Sequence, residues 1–135
     1  MRLQNEDLAA LFLRLGVGGL MLPHGIHKLM HGYEVIGSML SDAGLPEALR
    51  HGVIVGEVLA PFLIVIGLWT RPSALVLVGT MVMSIVLAFR DKLFTLNSFG
   101  GWVIELNMLF LLGGLALIFL GSGKYSVSRG KGKLD

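Results

Sequence analysis

The chain has 135 residues, 54% of them hydrophobic and 15% charged, with a formal net charge of +2 and a mean hydropathy of +0.77. Soluble domains carry about 25% charged residues, so this composition excludes an ordinary water-soluble core. The lack of cysteine excludes disulfides, thiolate metal sites, iron–sulfur clusters and CxxC redox chemistry. The length fits one domain, 1–135.

The N-terminal stretch Met1–Asp7 carries two acids, and no small-residue cleavage site follows the first apolar run. The run is therefore expected to be a retained helix rather than a cleaved signal. A membrane-spanning helix needs about 20 mostly apolar residues. The first candidate covers 8–30. A short apolar stripe follows in Gly32–Leu45, with Val35, Ile36, Met39 and Leu40 at helical spacing. It is too short to span and suits a brief interfacial segment, either helix or loop.

The second candidate covers 46–69 and the third 72–89. Pro46 and Pro72 suit helix first turns, where a missing N–H costs nothing. Thr70-Arg71-Pro72 then makes a tight antiparallel hairpin of the two. Turn chemistry in Asn97–Gly101 precedes the fourth candidate, 102–120, and Gly121-Ser122-Gly123 ends it. The expected class is all-α, an integral membrane four-helix bundle, with a basic tail over 121–135. Trp69, Trp102 and Tyr125 fall near the expected water boundaries.

Lys and Arg in short loops set orientation. Arg2, Arg71, Lys124, Arg129, Lys131 and Lys133 lie on one side; Lys28, Arg50, Arg90 and Lys92 lie on the other. The bias predicts both termini in the cytoplasm. The basic tail reads as a topology signal, not a nucleic-acid site.

Ionisable groups inside a span are costly and mark function. Counting rise per residue puts Arg14 about 9 Å in from the tail side, Glu57 about 18 Å, Glu105 about 22 Å and His24 about 24 Å. His24, Lys28 and His31 share one face of the first helix. Lys28 or a protonated His24 is expected to pair with Glu57 or Glu105. That pairing is either a salt-bridged knot that fixes helix register or the wall of a pocket for a polar headgroup, a quinone ring or protons. His24, His27 and His31 also have the spacing of a metal or haem site, but Lys28 sits among them and repels a cation. No nucleotide loop, hydrolase elbow or transporter repeat is visible.

Four segments carry a family resemblance. They are Leu13-Arg14-Leu15-Gly16 with His24-Gly25-Ile26-His27-Lys28-Leu29; Ala43-Gly44-Leu45-Pro46; Glu57 with Gly67-Leu68-Trp69-Thr70-Arg71; and Gly121-Ser122-Gly123-Lys124-Tyr125-Ser126. In this order they resemble the DoxX family of small bacterial inner-membrane proteins. Ser122 and Ser128 depart from the Pro and Asp common there. The resemblance implies a four-helix membrane bundle with recurring polar positions at Arg14, His24, Lys28 and Glu57. Some relatives are subunits of a thiosulfate:quinone oxidoreductase, and others look like membrane anchors in oxidative-stress complexes.

The expected function is a redox-associated inner-membrane protein that binds quinone or a small polar ligand among Arg14, His24, Lys28, Glu57 and Glu105. Whether it is an enzyme by itself is left open, since electrons would need a bound cofactor or a partner redox subunit. Two alternatives remain open: a non-catalytic scaffold for a partner complex, and a small channel or transporter, which would need a homo-oligomer.

Overall fold

A computed structural model describes residues 2–135, with side chains from Asn5 onward. Met1 and the Arg2 side chain, which enters the orientation count, lie outside the described side chains. The described residues are helical, with one isolated antiparallel bridge, Leu96–Trp102, and no strand. We number the helices α1 (Arg2–His31), α2 (Glu34–Asp42), α3 (Glu47–Ile66), α4 (Thr70–Ala88) and α5 (Glu105–Leu120). Three are long and apolar enough to cross a membrane: α1 from Asn5, α3 and α4. The fourth apolar helix, α5, has 16 residues.

The fourth helix starts later than the sequence predicts. Asn97 N donates to Gly101 O (2.7 Å) and Val103 N to Thr95 O (3.1 Å). These bonds close the loop onto Trp102 and Val103, so the helix begins only at Glu105. The interfacial segment is a helix, α2, which buries Gly37 and Leu40 and turns Val35 outward.

The core joins α1, α3, α4 and α5 through Val17, Met21, Ile64, Ala74, Leu77, Met81, Phe110 and Leu117. The opposite helix faces are apolar and bare: Phe12 is 70% exposed, Leu75 62% and Phe119 80%. An apolar surface of this extent is what hydrocarbon covers.

Helix α3 changes pitch along its length. Its first turn, Glu47–His51, is 3₁₀; Val55–Leu59 is a π turn; Ala60–Ile66 is regular α-helix. Pro61 is the physical reason. It has no N–H for the Glu57 carbonyl four residues back, and its ring crowds that oxygen, so the preceding turn widens. Glu57 sits in the middle of the widened turn.

The last segment packs back on the bundle rather than trailing from it. Helix α3 ends at Gly67, whose φ of +70° is left-handed. Its last carbonyls lack helical partners, and residues of 121–135 supply them. Val127 N donates to Ile66 O (3.0 Å), while Ser128 N and Oγ donate to Gly67 O (3.3 and 3.0 Å). Arg71 N donates to Leu134 O (3.2 Å), and Thr70 N donates to Asp135 Oδ1 (3.3 Å). The tail thus caps the end of α3 and the start of α4 together.

Candidate functional site

The π turn presents Glu57 to α1. Lys28 Nζ donates to both carboxylate oxygens of Glu57, at 2.6 and 2.7 Å. Glu57 is 3% exposed, while the Lys28 side chain is 37% exposed. This is the one ion pair among the described residues. Two glycines let the helices close around it. A Cβ on Gly25 would collide with the Glu57 carbonyl oxygen, and a Cβ on Gly56 would collide with Thr80 Oγ1. The tight approach of α1 and α4 to this turn therefore depends on residues without side chains.

Beside the pair lies a cavity of about 670 Å³. Lys28 and Glu57 are its charged wall. Thr80 and Ser84 of α4 are its small polar groups, and Ile36, Met39 and Leu40 of α2 cover it with apolar atoms. Gly52 and Gly79 also line it, and a Cβ on either would meet nothing within 4 Å. The cavity exists partly because those two positions carry no side chain. Its size and mostly apolar wall, with a few converging polar groups, are those of a small-molecule site.

Of the five site residues expected from sequence, the structure brings Lys28 and Glu57 together and places the other three elsewhere. Arg14 is 1% exposed, at the tail end of the bundle. Its Nη1 donates to Val65 O (3.2 Å) and its Nη2 to Tyr125 O. The negative end of α3 and a tail carbonyl face its charge. A Cβ at Gly67 would collide with this guanidinium, so that glycine serves both the left-handed cap and the space for Arg14. His24 is exposed, with Nδ1 2.9 Å from Leu20 O and its ring edge-on to Phe110 at 6.0 Å. It turns toward α5, away from the pair. Glu105 is exposed in the first turn of α5, beside Gly101, where a helix N-terminus favours negative charge. The sequence reading puts it inside a span because it begins the helix at Trp102, whereas the helix begins at Glu105 itself.

The histidines are likewise spread out. His27 and His31 meet edge to face, with centroids 4.1 Å apart, and His51 Nδ1 lies 3.1 Å from Tyr33 Oη. Among the described residues, no group of three or more His, Cys, Asp or Glu could hold a metal ion.

Sequence reasoning missed the cavity's glycines and its α2 cover. Thr80 and Ser84 face the cavity from α4, and Asn107 Nδ2 donates to Ser84 Oγ at 3.1 Å, linking α5 to the cavity wall.

The DoxX family model matches residues 9–90, more than half of the chain. The chain belongs to the DoxX family. The matched stretch runs from α1 through α4 and so contains Arg14, Lys28, Glu57 and the whole cavity. No curated protein and no solved structure matches this DoxX chain. Family membership and the three spanning-length helices make it a small membrane protein.

Proposed function

We propose that this DoxX protein binds the polar ring of a quinone, or a small polar ligand of similar size, in the cavity beside Lys28 and Glu57. One observation carries this reading: a doubly hydrogen-bonded Lys–Glu pair forms the charged wall of an otherwise apolar cavity of about 670 Å³. A purely structural pair needs no space beside it. Lys28 Nζ has a third proton to donate to a ligand oxygen, and Glu57 is placed to exchange a proton with the same ligand. Thr80 and Ser84 add hydroxyls to the lining.

In this reading the chain is one membrane domain, 1–135, whose helices α1, α3, α4 and α5 form a four-helix bundle in the bacterial inner membrane. The tail end faces the cytoplasm, following the Lys/Arg bias, and the cavity lies in the outer half. Quinone chemistry takes electrons as well as protons, so a partner redox subunit or bound cofactor supplies them. Native mass spectrometry of wild type and Gly79→Leu in mild detergent tests the site. A Cβ at that position meets nothing within 4 Å, so a leucine side chain starts in the open space of the cavity. Loss of a co-purifying quinone or other small molecule at unchanged stability is the expected result. Equal occupancy in both proteins would sink the proposal.

A second reading, a scaffold for a partner protein, draws on the loop between α4 and α5. Phe94 is 94% exposed and Phe99 97% exposed there. Co-purification of a second polypeptide that Phe94→Ser/Phe99→Ser releases, with Gly79→Leu still competent, would favour it.

A further inference from the structure

The cavity beside Lys28 and Glu57 is covered at one end and open at its side. Helix α2 is the cover: Ile36 and Met39 are half-buried and Leu40 is buried where they line it. The side opening lies between α3 and α4. Four lining residues there, Leu49 and Val55 of α3 and Val76 and Met83 of α4, are exposed on the outer surface. Gly79 stands between the last two, lines the cavity and is itself exposed. At Gly52 and Gly79 a Cβ would meet nothing within 4 Å, so the cavity runs out to the surface there.

The depth of this opening decides what it faces. Gly79 is the central residue of α4, a helix of 19 residues and of spanning length. It stands roughly 13 Å from either end of that helix, and a hydrocarbon core is about 30 Å thick. An opening at that depth meets acyl chains, not water. The rim suits such a neighbour. Its exposed residues are apolar, and the hydroxyl beside them, Thr80 Oγ1, donates to Val76 O at 2.9 Å within its own helix, so it needs no water.

The charged end lies elsewhere. Lys28 is in the last turn of α1, and its third proton is free for a ligand oxygen. Along α4 the lining runs from Val76 to Ala88, a rise of about 18 Å. The cavity is thus polar toward the helix ends and apolar toward the middle of α4. A molecule with a polar head and a hydrocarbon chain has the same gradient when it lies in one leaflet.

We propose that the cavity takes its ligand sideways from the bilayer, through the opening between α3 and α4. The ligand is an amphiphile, with an oxygen-bearing head at Lys28 and a hydrocarbon chain that leaves past Val55, Val76 and Gly79. This inference rests on the reading of the cavity as a ligand site and narrows it: a small polar ligand that stays in water is not the occupant.

The full chain in lipid nanodiscs is titrated with two probes, a benzoquinone carrying a decyl chain and the same benzoquinone without the chain. Native mass spectrometry counts the bound probe. The chain-bearing probe is expected to be retained roughly a hundredfold better at equal total concentration, because its chain stays in hydrocarbon while its ring is bound. Val76→Trp sets a bulky ring on the rim and should cut that retention roughly tenfold. Val82→Trp, on the exposed surface of the same helix and outside the lining, should leave it unchanged. Better or equal retention of the chain-free probe overturns lateral entry and leaves the cavity as a site reached from water. Retention of neither probe overturns the reading of the cavity as well. Val76→Trp and Val82→Trp behaving alike, whether both bind as wild type or both lose the probe, overturns the opening at Val76.

Discussion

Lys28 and Glu57 meet across α1 and α3 with both carboxylate oxygens engaged, at 2.6 and 2.7 Å. The two partners are unequally wet, since Glu57 is almost wholly buried while more than a third of the Lys28 side chain is exposed. Removing one is therefore not equivalent to removing the other. Without Lys28, Glu57 is left as a buried carboxylate with no partner. Without Glu57, Lys28 can reach water. Lys28→Met should cost about 3 kcal/mol, near the lower range for a broken buried pair, and Glu57→Gln about 1 kcal/mol. Denaturation in detergent measures both. The double variant Lys28→Met/Glu57→Leu should regain most of the stability and none of the ligand retention.

The glycines around this pair should separate by what faces them. Gly25→Ala drives a methyl into the Glu57 carbonyl, where a backbone atom cannot step aside, and should cost about 1–3 kcal/mol. Gly79→Ala meets only open cavity and lies within α4. It should stabilise the protein by about 0.5–1 kcal/mol. Thermal unfolding of the two variants side by side shows opposite signs if the close approach at Gly25 is real.

Arg14 joins the end of α3 to the tail through the Val65 and Tyr125 carbonyls. Arg14→Met removes the donor and leaves two acceptors in a largely dry setting, which should cost about 2 kcal/mol or more. The tail should loosen first, since its remaining hold is the short set of bonds to Asp7, Ile66, Gly67, Thr70 and Arg71. Limited proteolysis should cut within 121–135 far faster in Arg14→Met than in wild type.

The Asn107–Ser84 bond offers a contrast in magnitude. Side-chain hydrogen bonds between membrane helices average about 0.6 kcal/mol in double-mutant cycles. A cycle of Asn107→Leu with Ser84→Ala should return a coupling near that value. A coupling of several kcal/mol would show the bond to be a main clamp of α4 on α5.

The elements themselves were legible because apolar run length and proline or glycine boundaries decide them locally. The hairpin expected at Thr70-Arg71-Pro72 turns instead at Gly67–Trp69, with those three residues in the first turn of α4, and the segment near Gly32–Leu45, open between helix and loop, is helical over Glu34–Asp42. The start of α5 was not legible, because the bonds that hold Trp102 and Val103 join residues across a loop. The Lys28–Glu57 pair could be narrowed to a few partners from helical depth and face. The choice between Glu57 and Glu105 depended on the late helix start and on the π turn, which rotates Glu57 toward α1. The tail looked like a topology signal because its lysines and arginines are visible in sequence. Its capping work is done mainly by main-chain groups and three serines, which carry no pattern of their own.

The π turn before Pro61 amounts to one residue more than a regular helix would hold over that stretch. A deletion of a single residue there, Val58 for example, would restore regular pitch and bring back the crowding that Pro61 makes in a regular turn. The residues before it would keep nearly the same phase, because the wide turn already absorbs the extra residue, but Glu57 would lose the turn that presents it to α1. The segment between Gly52 and Pro61 is therefore expected to tolerate substitutions in its outward residues, such as Ile54 and Leu59, while rejecting any change in length.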